Sequence, residues 1–247
     1  MAATHVQSNV YAGYYGGDAT PPLAFDSSVV SGNLLCGFIE FPSSLALNSV
    51  ADNLGNTYNI VNNPTNIGGQ DAAMFWIISA YSGACTVTCT LDGDPGWDAL
   101  VIGISEASGV DTLDTGLTVI SGQANPGAGN DAVTSTALTP TVDGCYLFGV
   151  SYFADSTAWT KGTGWDSLGD NDGSGPSVAT EYFVQSTAAS IAATFTITGG
   201  GSDTLTGLMV FKPTSDGGTA ITKDGALTPS GIPTRHFAGA RAVAGAL

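Results

Sequence analysis

Positive charge is nearly missing from this chain. Of 247 residues only five are Lys or Arg, against 21 Asp and Glu, for a formal charge of −16. Such a charge repels phosphate backbones and anionic headgroups, which excludes nucleic acid and membrane as partners of the main body. Charge of either sign is scarce, at 11 % of residues, so Ser, Thr, Asn and Gly must supply most of the polar surface. No apolar run approaches membrane-spanning length. The start shows no basic region followed by an apolar stretch. The expectation is a protein made in the cytoplasm that either stays there or leaves by another route, such as a virion released by lysis. No stretch before residue 213 sustains a 3.6-residue apolar period, so helices are not expected. Histidine is limited to His5 and His236. Neither offers a base in a supported pocket, and no Ser–His–acid triad is expected. The chain is read as non-enzymatic.

What is present is a succession of strand patterns. Trp97–Asp111 places Leu100, Ile102 and Ile104 on one face and the smaller Ala99, Val101, Gly103 and Ser105 on the other. It reads as the central strand, with Asp98 and Glu106 where it leaves the core. Cys85–Leu91 alternates cleanly, with Cys85, Val87, Cys89 and Leu91 inward and threonines outward. Asn33–Phe41, Ala72–Ala80, Gly144–Phe153, Val178–Gln185, Ser190–Thr198 and Asp203–Lys212 read as further strands. His5–Gln7 and Leu23–Phe25 read as short edge strands. Residues 111–142 carry few large apolar side chains, with one strand near Ala132–Leu138. The four cysteines all sit inside strand patterns and are read as buried free thiols. Cys85 and Cys89 lie roughly 13 Å apart on one strand face, beyond disulfide reach. A Cys36–Cys145 bridge stays open if those strands are neighbours.

The two halves echo each other. The Cys85 strand resembles the Ile191 strand, the Asp98 strand the Thr204 strand, and the Asn33 strand the Gly144 strand, the first two pairs at an offset of 106. Duplicated units of four to five strands predict an all-β jelly-roll β-sandwich of two Greek-key halves and about ten strands over residues 1–213, followed by an extended tail, 214–247.

Gly32-Asn33-Leu34-Leu35, Ser49–Tyr58 (SVADNLGNTY), Cys85–Thr90 and Ile104–Thr112 (ISEASGVDT) resemble a jelly-roll domain family of phage and bacterial surface proteins, whose pattern runs GNLL, SVTDNAGNTY, NTVTVTF, LEYSGVDT. The likeness covers roughly residues 5–213, with Ala107 where the pattern usually has Tyr. It implies the fold and says little of activity. Asp224–Arg235, DGALTPSGIPTR, resembles the GALTPSG-type repeats of phage structural and fibre-like proteins, and Ala244–Leu247 looks like the start of a second copy. Such a segment cannot bury a core alone and orders against a neighbour. Leu227, Pro229, Arg235, Phe237 and Arg241 are its candidate assembly residues. Four of the five basic residues lie in the last 36 positions, suited to an acidic surface.

Other chemistry is sparse. Glu40 and Glu106 could mimic the carboxylate pair of a glycosidase; the plainer expectation is that Glu106 accepts amide bonds from the turn Ser108–Asp111. Asp170, Asp172, Ser174, Gly175 and Glu181 match positions 1, 3, 5, 6 and 12 of a calcium loop, but the flanking helices of such a loop are missing. A chance match is the expectation, so no cofactor is assigned and Ca2+ stays open. Asp92, Asp94 and Asp98 form a second acidic cluster. Trp159 and Trp165 flank Lys161–Gly164 and could stack on sugar rings or plug the sandwich. The resulting expectation is a virion structural protein, a capsid decoration (cement) protein or short fibre. It would be displayed on the particle surface, contact the major capsid or other virion proteins, and self-associate, with a trimer favoured. The alternative is a secreted or surface glycan-binding module.

Overall fold

The computed structural model describes residues 2–14, 21–62, 68–96, 98–123, 130–153, 158–171, 176–198 and 203–215. Among them there is no helix. Sixteen strands form in two runs of eight. The first run is β1 (Thr4–Tyr14), β2 (Leu23–Ala24), β3 (Leu34–Pro42), β4 (Leu47–Asp52), β5 (Asn59–Asn62), β6 (Gln70–Ile78), β7 (Thr86–Leu91) and β8 (Ala99–Ser108). The second is β9 (Val110–Gln123), β10 (Asn130–Thr134), β11 (Cys145–Phe153), β12 (Ala158–Thr160), β13 (Asp166–Asn171), β14 (Ser177–Gln185), β15 (Thr194–Thr198) and β16 (Thr204–Pro213).

The two runs share one topology. In the first, a five-stranded sheet β1-β8-β3-β6-β5 faces a three-stranded sheet β2-β7-β4. In the second, β9-β16-β11-β14-β13 faces β10-β15-β12. Every strand pair is antiparallel. The interleaving is similar to that of a jelly roll, with the fifth strand attached to the larger sheet. The echo in the sequence therefore pairs the right strands (β7 with β15, β8 with β16, β3 with β11) but at a different scale. Each half is a complete two-sheet sandwich, not half of one, and a single ten-stranded sandwich is not what forms. The central strand of the first large sheet is β3; β8 lies between β1 and β3.

Three apolar layers follow from the period-two alternation. Leu35, Ile39, Val50, Phe75, Val87, Cys89, Leu100, Ile102 and Ile104 fill the first sandwich. Leu147, Phe153, Trp165, Phe195, Ile197, Leu208 and Val210 fill the second. The opposite faces of the two large sheets meet each other: Leu34, Cys36, Phe38, Met74 and Val101 pack on Tyr146, Phe148, Val150, Met209 and Phe211. Both large sheets are thus covered on both sides, which is why β3, β8, β11 and β16 read as nearly continuous apolar runs.

The central contact is reciprocal. A Cβ on Gly103 of β8 would stand 3.1 Å from Thr180 of β14, and one on Gly207 of β16 would stand 2.8 Å from Met74 of β6. Since β16 is the counterpart of β8 and β14 of β6, the halves meet as two subunits of an isologous dimer do. Only Gly109 separates β8 from β9. Its φ is +72°, and a Cβ there would lie 2.5 Å from the Ala2 carbonyl, so the turn from one half to the other requires glycine.

The four cysteines are buried and free. Cys36 lies in the layer between the halves and Cys145 inside the second sandwich, so they do not meet. Burial pushes the Cys89 thiol up to about 12. The compact unit formed by this body ends at Ser215, and residues 216–247 fall in a separate unit. The tail residues Leu227, Pro229, Arg235, Phe237 and Arg241, together with His236, lie outside the described residues.

Candidate functional site

The motifs singled out in the sequence become joints of the fold. In SVADNLGNTY, Asp52 accepts from the Leu54 amide at 3.0 Å, the Asn56 amide at 3.0 Å, the Asn56 side chain at 2.8 Å and the Tyr58 hydroxyl at 3.1 Å. Gly55, at φ +99°, lets the turn close around it. Asn53 then binds Thr86 and Ala84, and Asn56 binds Ser79 and Ala80. The segment ties the β4–β5 turn to the β6–β7 loop. Beside Asp52 the Cys85 thiol is pushed up to about 12, by burial first and then by the carboxylate.

GNLL and ISEASGVDT lie side by side where β3 pairs with β8, and Glu106 joins them further. Glu106 is fully buried and accepts from the Asn33 side chain at 2.7 Å, the Gln7 side chain at 2.6 Å and the Val30 amide at 2.9 Å. Its partners belong to β1 and the β2–β3 loop. The expectation that Glu106 leaves the core to cap the turn Ser108–Asp111 is corrected on both counts. The second half repeats the device with the acid on another strand. Asp114 of β9, also fully buried, accepts from the Thr141 amide at 2.6 Å in the β10–β11 loop and pairs with Lys212 of β16 at 3.3 Å. The sequence reading missed Asp114, because an Asp between Leu113 and Thr115 carries no signal until Lys212 is placed beside it.

Glu40 and Glu106 do not form a carboxylate pair. Alternation along β3 turns Glu40 toward the layer between the halves, with Leu34, Cys36 and Phe38. Glu106 follows Ile102 and Ile104 into the first sandwich, so the sheet itself stands between the two carboxyls. Burial, then Asp98, raises the Glu40 carboxyl well above the usual range. Gln70, with its amide nitrogen turned inward, donates to Oε1 at 2.7 Å, and Oε2 has no hydrogen-bond partner.

Of the calcium-loop residues, Asp172 and Ser174 lie outside the described residues. Asp170 is exposed on β13, opposite Ala179. Glu181, the twelfth-position ligand, is instead fully buried in the second sandwich, where it accepts from the Gly162 amide at 2.9 Å and the Thr194 amide at 3.2 Å. Burial raises its carboxyl to about 7, opposed by those two amides and Lys161. The segment is a β13–β14 hairpin, so the calcium reading loses that ligand. Among the described residues no group of three or more His, Cys, Asp and Glu is placed to hold a metal.

Trp165 is 4 % exposed and packs on Phe183 at 5.8 Å between ring centroids. It offers no face to a sugar, and the plug reading describes it. Trp159 is half-buried, edge-on to Phe195 at 5.9 Å, with Nε1 unpartnered. Its Lys161 neighbour bonds the Trp165 carbonyl and pairs with Asp166. His5 stands 3.5 Å from the Ser105 hydroxyl, which is fully buried and bonds the Tyr146 hydroxyl at 3.3 Å. Burial lowers the His5 pKa, against the pull of Glu106.

One surface stands out. The large apolar side chains exposed among the described residues are Val6, Val30, Tyr81 and Val142. Val6 lies in β1 near its pairing with the end of β8, Val30 and Tyr81 in the loops where β3 begins and β6 ends, and Val142 just before β11. These are all the same end of the molecule, the pole that carries Gly109. The signal in the sequence was a bare valine inside a polar loop, which period-two reading passes over.

No family model matches the chain, and comparison with curated proteins and with solved structures gave no match.

Proposed function

We propose that this protein is a non-enzymatic structural component of a phage particle, a capsid decoration (cement) protein or a short fibre. It is made in the host cytoplasm and displayed on the virion surface. The double sandwich is the exposed body, and the repeat-like tail is the assembly segment. Its partners are the major capsid protein or other virion proteins and further copies of itself, a trimer being favoured. The observation that carries the reading is the division of charge: residues 1–215 hold two lysines against nineteen acids, and residues 216–247 hold three basic residues against two acids. An acidic body with a basic, low-complexity, repeat-like extension suits attachment to a surface. The buried carboxylates support it, since Glu106, Asp114 and Glu181 hold loops and strands together.

The test is the mass of the purified full-length chain by light scattering, beside a chain ending at Ser215. A trimer or larger species from the full-length chain alone is the expected result. Monomers from both remove the tail as a self-assembly device.

A further inference from the structure

We infer that the Gly109 pole is the docking surface for the basic segment 216–247 of a second copy. This rests on the reading that the tail drives assembly, and adds the surface that receives it. Val6, Val30, Tyr81 and Val142 are 45 %, 52 %, 50 % and 40 % exposed, and all four lie at this pole. The loops that carry Val30 and Tyr81 are tied to each other, and the Val30 loop is tied to β1 beside Val6. The Ser31 amide and hydroxyl bond Ser82 Oγ and the Ala80 carbonyl on either side of Tyr81. Gln7, next to Val6, bonds both Ser27 and the Glu106 carboxylate that holds the Val30 amide. Val6 stands on a strand, and Val30 and Tyr81 on short, hydrogen-bonded loops, so little backbone ordering is lost on contact.

Charge selects the occupant. Asp26, Asp111 and Asp143 are exposed around the apolar residues. The two lysines of the body are already engaged, Lys161 with Asp166 and Lys212 with Asp114. A second acidic body is repelled from this pole, whereas 216–247 brings Lys223, Arg235 and Arg241 with Leu227, Ile232 and Phe237 between them. The described chain ends at Ser215, next to Thr214, whose amide bonds the Gly109 carbonyl at 2.8 Å. The 32 residues of 216–247 span up to about 100 Å when extended, enough to reach a neighbouring copy.

The experiment is light scattering on the full-length chain and its variants Val30→Asp, Tyr81→Asp and Thr90→Asp, the last an exposed position near the far end of β7, with circular dichroism to verify folding. The expected result is an assembly that dissociates in 0.5 M salt, falls to monomer in the Val30 and Tyr81 variants and persists in the Thr90 variant. Hydrogen exchange on the unaltered full-length chain should show loops 27–33, 79–84 and 141–144 slower than in the chain ending at Ser215. If the full-length chain assembles but the pole variants assemble equally well, or protection falls elsewhere, the docking surface is overturned and the tail-driven reading stands. If the full-length chain is a monomer, both fall.

Discussion

Glu106 and Asp114 show how the cost of burying a carboxylate is offset by partners. Each sits where a loop enters the third strand of its half and takes that loop's amide, Val30 or Thr141, together with a donor from a neighbouring strand. The acid lies on β8 in one half and on β9, the counterpart of β1, in the other. The requirement is thus for an acceptor at that point in space rather than at one sequence position. Removing the acceptor leaves several donors stranded, and a buried donor without a partner is more costly than a bond is worth. Glu106→Ala is expected to lower the unfolding free energy by about 3 kcal/mol in urea titrations, and Glu106→Gln, which keeps one acceptor oxygen, by less.

At the scale of elements, the reciprocal packing of Gly103 on Thr180 and Gly207 on Met74 sets how closely the large sheets approach. A side chain at either glycine must displace the opposite sheet or twist its own strand. Gly207→Val is expected to cost about 1–3 kcal/mol, read as a lower thermal midpoint, with Gly103→Val similar. The same packing explains what could be read in the sequence. Strands that bury one or both faces announce themselves, as β7 does by alternation and β3 by its apolar run. The 14-residue β9 does not, because as an edge strand it pairs on one side only and can be built from Asp, Thr and Gly. The short β5 and β12 were missed for lack of length. The equivalence of the halves was legible in strand-by-strand echoes, but missing β4, β5, β9, β12 and β13 made each half look like half a sandwich. Of the candidate site residues, Trp165 and Glu181 kept two readings each in the sequence, because spacing along a chain does not reveal which face of a sheet a side chain occupies; the buried positions agree with the plug for Trp165 and with a chance match for Glu181.

At the scale of the whole molecule, the acidic composition and the interior carboxyls act in the same direction. Glu181 is held at about 7 against an ordinary 4.5, and Glu40 is also raised. Between those values the folded chain keeps a proton that the unfolded chain has released, so this contribution is complete below about pH 4.5 and is lost as the pH rises through about 7. Ionising the exposed acids adds self-repulsion over the lower part of that range. Thermal midpoints at constant ionic strength are expected to fall between pH 5 and pH 8. Glu181→Gln should flatten the slope between pH 5 and pH 7; a midpoint that climbs over the interval contradicts the assignment.

The single-residue hinge at Gly109 has a consequence for what counts as one molecule. The strands on either side of it pair only within their own halves, and the apolar layer from Leu34 to Phe211 spans the join without using it. The covalent link therefore sets the ratio of the halves at one to one rather than holding them together. Either half in isolation would present a bare inner sheet, and its natural cover is a fragment of the other kind or another of its own. The chain is in this sense a dimer whose partner has been made permanent, and its self-complementary face is already spent. Growth into any larger array must use the ends and outer sheets, where the two halves no longer look alike.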